Sequence, residues 1–100
     1  MAYIDNGLLT ILNAGEDSVK DASALTLAAL GWVLADEKRA HRLLDLTGLS
    51  PDGLRDSINE VETHRAILDF LCQHEPDLIG AAEALDVPPE TLVAARKDLR

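Results

Sequence analysis

Thr47-Gly48-Leu49-Ser50-Pro51 stops one helix and starts another within five residues, and punctuation of this kind recurs along most of the chain. Glycine is the usual residue just past a helix end because it enters the left-handed region without a Cβ clash. Serine then caps the next helix. Proline at the first helical position loses an N–H that would have had no partner there. A related joint, Ala84-Leu85-Asp86-Val87-Pro88-Pro89-Glu90, stands further on. Joints this tight predict an all-α chain of six short helices with only brief turns between them.

The first helix is expected to open at Ser18, with Asp21 at capping-box spacing, and to run to about Ala35. It carries Leu25, Leu27, Leu30, Trp32 and Leu34 on nearly every side, which predicts a buried central helix. Ala24, Ala28, Gly31 and Ala35 form one stripe of small residues, read here as the seat of a closely crossing helix. Such a crossing would offset the roughly 1 kcal/mol that a mid-helix glycine costs. Asp36 caps the second helix, which turns Ala40, Leu43, Leu44 and Leu46 inward and stops at Gly48, with Leu49 packing back onto it. Ser50 and Pro51 open the third, with Leu54 and Ile58 inward. Asn59 with Glu62 starts the fourth, carrying Val61, Ile67, Leu68, Phe70 and Leu71 to about His74. Pro76 opens the fifth over Leu78, Ala82 and Leu85; Pro89 opens the sixth over Leu92, Ala95 and Leu99.

Sliding the chain by 38 residues aligns Ala28 with Ala66, Leu30 with Leu68, Trp32 with Phe70 and Glu37 with Glu75. Leu49 then meets Val87, Pro51 meets Pro89, Asp52 meets Glu90 and Leu54 meets Leu92. Two three-helix units, about 18–58 and 60–99, are therefore expected within one helical domain over 16–100, preceded by an N-terminal arm over 1–15. Because a solenoid generally needs three or more repeats to bury its faces, two copies point instead to a pseudo-twofold bundle around one core. Trp32 and Phe70 should be core counterparts, and residues 24–58 should match 62–96 in helix order and turns.

The runs "LGWVLAD", "RLLDLTGLSPDGLR", "ILDFLCQHEPDL" and "LDVPPETLVAAR" resemble a small alphaproteobacterial family of helical proteins known only as a domain of unknown function. The resemblance spans about 24 to 99, and its most specific piece is Thr47-Gly48-Leu49-Ser50-Pro51 followed by Leu54-Arg55. It implies a single all-helical domain and carries no reaction, ligand or partner. Met1 to Gly15 lies outside it.

A chain of 100 residues supports one core. Aromatics are limited to Tyr3, Trp32 and Phe70, while Leu and Ala make up about a third of the residues, as suits closely packed helices. The 18 acids against 9 bases give a net charge of −9, spread along the chain, which repels polyanions. Cys72 is the single cysteine, so no internal disulfide forms and a reducing compartment is expected. The start "MAYIDNGLLTILNAG" suits neither a signal peptide nor a membrane span, and a cytoplasmic protein is expected.

The joint before Pro89 invites a helix-turn-helix reading. A reading helix presents Arg, Asn, Gln or Ser to base edges, whereas the outward row here is Glu90, Val93, Ala94 and Lys97. Residues 76–100 hold five acids and three bases, too little positive charge for phosphate neutralisation. Arg96, Lys97 and Arg100 are read as complementing the helix dipole. His41, His64, His74 and Cys72 are the candidate metal ligands. His64 and His74 stand ten residues apart on one helix, about 15 Å at 1.5 Å per residue, so they cannot share one ion. They are read as rim histidines. Ser50 is a cap and lacks the second glycine of a nucleophile elbow. Arg65 and Asp69 are read as a surface i,i+4 pair of little consequence.

No catalytic, cofactor-binding or metal residues are assigned. The residues singled out are structural: Trp32, Gly31, Gly48, Pro51, Phe70, Pro76 and Pro89. A non-enzymatic interaction or scaffold module is expected, with a helix-turn-helix-like nucleic-acid binder as the alternative. Its partner is an unidentified protein or a second copy. The arm, with Tyr3, Ile4, Leu8, Ile11 and Leu12 at helical spacing, packs on its own bundle or on another chain.

Overall fold

The computed structural model describes the backbone of residues 14–99 and the side chains of residues 21–99. The expectations for the arm residues Tyr3 to Leu12 lie outside the described residues. The described residues form six helices in order: α1 (Ala14–Leu34), α2 (Glu37–Thr47), α3 (Pro51–Asp56), α4 (Val61–Cys72), α5 (Glu75–Leu85) and α6 (Pro89–Asp98). Among the described residues there is no strand.

The joints form for the local reasons that the sequence states. Asp36 caps α2, its carboxylate accepting from the backbone N–H groups of Lys38 and Arg39 at 2.8 and 3.2 Å. Gly48 closes α2 in the left-handed region at φ 73° and donates its N–H to the Leu44 carbonyl. Ser50 caps α3 by accepting from Gly53 N–H at 3.0 Å, and Pro51 takes the first helical position. Other starts differ slightly. Ser18 lies inside α1, which is already helical at Ala14, so it cannot serve as the cap. Glu60, one residue after Asn59, is the N-cap of α4 and makes no side-chain cap bond. Glu75 opens α5 with Pro76 second, because the extended His74 supplies the cap position.

The two sets of helices keep the 38-residue register. Leu34 and Cys72 end the first helices, Glu37 and Glu75 begin the second, Thr47 and Leu85 end them, and Pro51 and Pro89 begin the third. The left-handed cap recurs too: Asp86 stands at φ 57°, 38 residues after Gly48. Burial follows the same register, with Thr26 and His64, Leu30 and Leu68, Val33 and Leu71, and Leu54 and Leu92 all buried. Packing departs from this symmetry. Helices α4, α5 and α6 each pack on the other two, whereas the six-residue α3 makes only slight contact with other helices.

Helix α1 is the centre of the bundle. It packs on α2, α4 and α5 and most extensively on α6. Its inward face is Ala22, Thr26, Ala29, Leu30 and Val33, all buried. Ala24, Ala28, Gly31 and Ala35 point the other way and are exposed, and a Cβ on Gly31 would meet nothing within 4 Å among the described residues. The expected crossing over that stripe is therefore incorrect. A helix that is apolar on all sides gives its neighbours no phase to follow, and Leu27 and Leu34 stay outside with the stripe. Leu46 and Val61 are likewise exposed rather than inward.

The close approach occurs elsewhere, at Gly80 in α5. A Cβ there would sit 2.6 Å from Cζ2 and 2.9 Å from Cη2 of Trp32. Trp32 is half-buried, not a core residue, because its ring lies between Gly80 and the guanidinium of Arg39, 3.7 Å from the ring centroid. Arg39 also donates Nη2–H to the Trp32 carbonyl at 2.5 Å, which clamps the start of α2 against the end of α1. Phe70, the counterpart of Trp32, is buried.

Candidate functional site

Ile79 on α5 and Val93 on α6 are large aliphatic side chains that remain 39% and 37% exposed. They face a shared open groove of about 380 Å³, with Leu78, Cys72 and Pro89 beneath and Glu75 and Glu90 on its rim. Two proline-led helix starts build that rim. Glu75 and Pro76 open α5, and Pro89 and Glu90 open α6, so each carboxylate lies in a first turn, where the helix dipole favours negative charge. The left-handed turn at Asp86 swings α6 back alongside α5 and sets the two walls of the groove.

A second groove of about 320 Å³ lies at the corresponding place in the first unit, between Leu30, Leu34, Leu44, Leu54 and Ile58. The two share their register, Leu34 with Cys72, Pro51 with Pro89 and Arg55 with Val93. Their character differs. Leu30 and Leu54 are buried, so only Leu34 stands out of the first groove, and the base Arg55 lines it.

Polar chemistry concentrates where α2 meets α5. Asp77, 5% exposed, accepts from Arg42 Nη2 at 3.2 Å through Oδ1. Its Oδ2 stands 2.9 Å from both Arg42 Nη1, near enough for charge attraction, and His74 Nδ1, yet outside hydrogen-bond alignment. Arg42 also passes 5.6 Å from the Phe70 ring centroid. The cluster fastens the two three-helix units together; a guanidinium already committed to a carboxylate leaves little for a ligand. It borders an open groove of about 410 Å³ with Asp45, Leu46 and Gln73.

The histidines part company. His64 is buried rather than at the rim, with Nε2 2.5 Å from the Ile58 carbonyl and Nδ1 3.3 Å from Ser23 Oγ. The fit is satisfied by one neutral tautomer, Nε2–H donating to the carbonyl while Nδ1 accepts from the serine. His74 is half-exposed and belongs to the Asp77 cluster, and His41 is exposed. Among the described residues no three His, Cys, Asp or Glu side chains converge as a metal set would. Asp69 pairs with Arg96 of α6 instead of Arg65, tying α4 to α6. Burial pushes the Cys72 thiol above its ordinary value; Arg96 draws it back in part and Asp69 adds to the rise. The backbone N–H of Arg39, with that of Lys38, holds the Asp36 carboxyl below the usual carboxylate range.

Of the residues singled out from sequence, Gly48, Pro51 and Pro89 stand at helix joints and Pro76 in the first turn of α5. They shape the grooves without lining a reactive centre. Sequence reasoning placed Val93 outward but overlooked Ile79 and Gly80. A mid-helix glycine followed by Ala81 and Ala82, with no turn to make, was the available sign of a close contact.

Among the described residues no helix is long and apolar enough to cross a membrane. Comparison with curated proteins and with solved structures finds no match. The sequence model of a family described as "Protein of unknown function (DUF3572)" matches residues 19–100, from within α1 to beyond the last described helix. The chain belongs to that DUF3572 family.

Proposed function

We propose that the protein is a small non-enzymatic interaction module that holds another protein in the groove between α5 and α6. The observation that carries this reading is the pair Ile79 and Val93, each more than a third exposed and both facing one acid-rimmed groove. Isolated apolar side chains are ordinary on a surface, but two that share a groove mark a place where a partner's side chains can be buried. Leu34 and Leu46 are also exposed beside grooves, but each is the one exposed aliphatic side chain among the described residues lining its groove, while the buried histidine is internally satisfied and Arg42 and Asp77 hold each other.

The matching register of the two halves supports descent from one duplicated three-helix unit, in which the second groove presents two exposed aliphatic side chains and the first only Leu34. The test is affinity capture from native lysate with the wild type and with Ile79→Ser/Val93→Ser. A protein retained by the wild type and lost by a variant of equal melting temperature supports the reading; equal retention by both refutes it.

A further inference from the structure

We propose that the occupant of the α5–α6 groove is an amphipathic helix whose flanks carry Lys or Arg, an inference that rests on the groove being a docking surface. The groove is open rather than enclosed and is lined by the first turns of α5 and α6 and the end of α4, with two exposed aliphatic side chains facing it together, so it suits the apolar side chains of a partner's helix better than a small molecule. Ile79 and Val93 supply the apolar contacts, with Leu78 and Cys72 as the floor. Apolar anchors on the incoming helix, three or four residues apart, would meet them along one face.

The charge on the rim decides the rest. Glu75 and Glu90 are both exposed and are the charged residues that line the groove. The nearest base on α6, Arg96, is engaged by Asp69. Lys97 stands one turn beyond Val93, past the groove's lining, so the acidic end and the basic end are separated along α6. The rim thereby orients the occupant, with its basic side chains toward the starts of α5 and α6. An acidic or neutral amphipathic helix meets the same apolar floor but places like or absent charge against two carboxylates. The net charge of −9 favours a basic partner at long range. Only the rim gives that attraction a fixed position.

Fluorescence anisotropy with two designed, labelled 18-residue helices, one of Leu and Lys and one of Leu and Glu in the same amphipathic pattern, tests this on the full chain. The Leu/Lys helix should bind the wild type, and the Leu/Glu helix should bind at least tenfold more weakly. Glu75→Gln/Glu90→Gln should weaken the Leu/Lys helix roughly three- to tenfold, the scale of two exposed ion pairs. Asp45→Asn/Glu62→Gln removes the same charge from exposed sites outside the groove and should leave the affinity nearly unchanged. Absence of Leu/Lys binding, equal binding of both helices, or an equal loss from the remote pair overturns the basic-helix assignment. Groove-dependent capture of a non-basic protein would do the same while leaving the docking surface in place, so the two proposals fail separately.

Discussion

Gly80→Ala should destabilise the protein, although alanine is the better helix former. The added methyl would lie 2.6 and 2.9 Å from two carbons of the Trp32 ring, where carbon contacts settle near 3.5–4.0 Å. The indole must therefore move by about 1 Å, or α5 must lift from α1 by a similar distance. Swinging the indole outward also gives up its stacking against Arg39, 3.7 Å away, an interaction worth roughly 0.5–1 kcal/mol at a partly exposed site. Overpacking of this kind costs about 1–3 kcal/mol. Against it stands roughly 1 kcal/mol that alanine gains over glycine in a helix interior. The net expectation is a loss of about 0–2 kcal/mol, or up to roughly 8–16 °C in Tm at this size.

The sign is sharper in comparison. Gly31 is also mid-helix but has nothing among the described residues within 4 Å of a Cβ, so Gly31→Ala should stabilise by about 0.5–1 kcal/mol. In a Trp32→Ala background, itself destabilised, Gly80→Ala should change sign and become stabilising by a similar amount. Urea midpoints at unchanged slope measure all of these, and the coupling in the cycle should be about 1–3 kcal/mol. If Gly80→Ala stabilises the wild type as much as Gly31→Ala does, the close contact between α1 and α5 is wrong.

Gly48→Ala should cost roughly 1–2 kcal/mol in the same assay, since an L side chain is strained in the left-handed region that Gly48 occupies at φ 73°; an unchanged midpoint would disprove that cap geometry. Asp77→Ala should cost about 1–2 kcal/mol, because Arg42 is partly exposed and can take up water once released; a larger loss from Asp45→Ala, at an exposed site, would contradict the clamp. With its pKa raised by burial, Cys72 carries less thiolate than a free cysteine at pH 8, so iodoacetamide should label it slowly until urea is added, and labelling as fast in the native state as in the unfolded one would count against it. Duplex DNA at physiological salt should show only weak non-specific contact with a chain of charge −9; a sub-micromolar, sequence-dependent Kd would restore the helix-turn-helix alternative.

What the sequence disclosed was local. The joints at Asp36, Gly48, Ser50, Pro51 and Pro89 are written in single residues whose backbone preferences act within one turn, and they stand where expected. The 38-residue register was legible for the same reason, being carried by the joints. What the sequence concealed was orientation. Gly31 and Gly80 look alike as residues within helices, and only the phase of α1 against α5 makes the second one tight. Arg42 and Asp77 are 35 positions apart, and neither has a neighbour in sequence that announces the other. His64 lay on an apolar face, but its full burial depended on the Ile58 carbonyl and Ser23, which the chain brings together only on folding. The groove was half visible. Val93 belonged to an outward row, while Ile79 had to be set opposite it by the turn at Asp86.

The dominance of α1 has a consequence for synthesis on the ribosome. Its most extensive partner is α6, the last of the described helices, so the inward face at Ala22, Thr26, Ala29, Leu30 and Val33 is fully covered only when α6 has been made. At roughly 5–20 residues per second, the stretch from Leu34 to Asp98 takes several seconds to emerge. Until then the nascent chain lacks the helix that covers α1 most extensively, and only α2, α4 and α5, as each appears, can pack on it. A bundle whose main contacts lay between neighbours in sequence would complete its core pair by pair as it appeared; here a product that ends before Pro89 lacks the most extensive partner of α1 and leaves part of its inward face exposed.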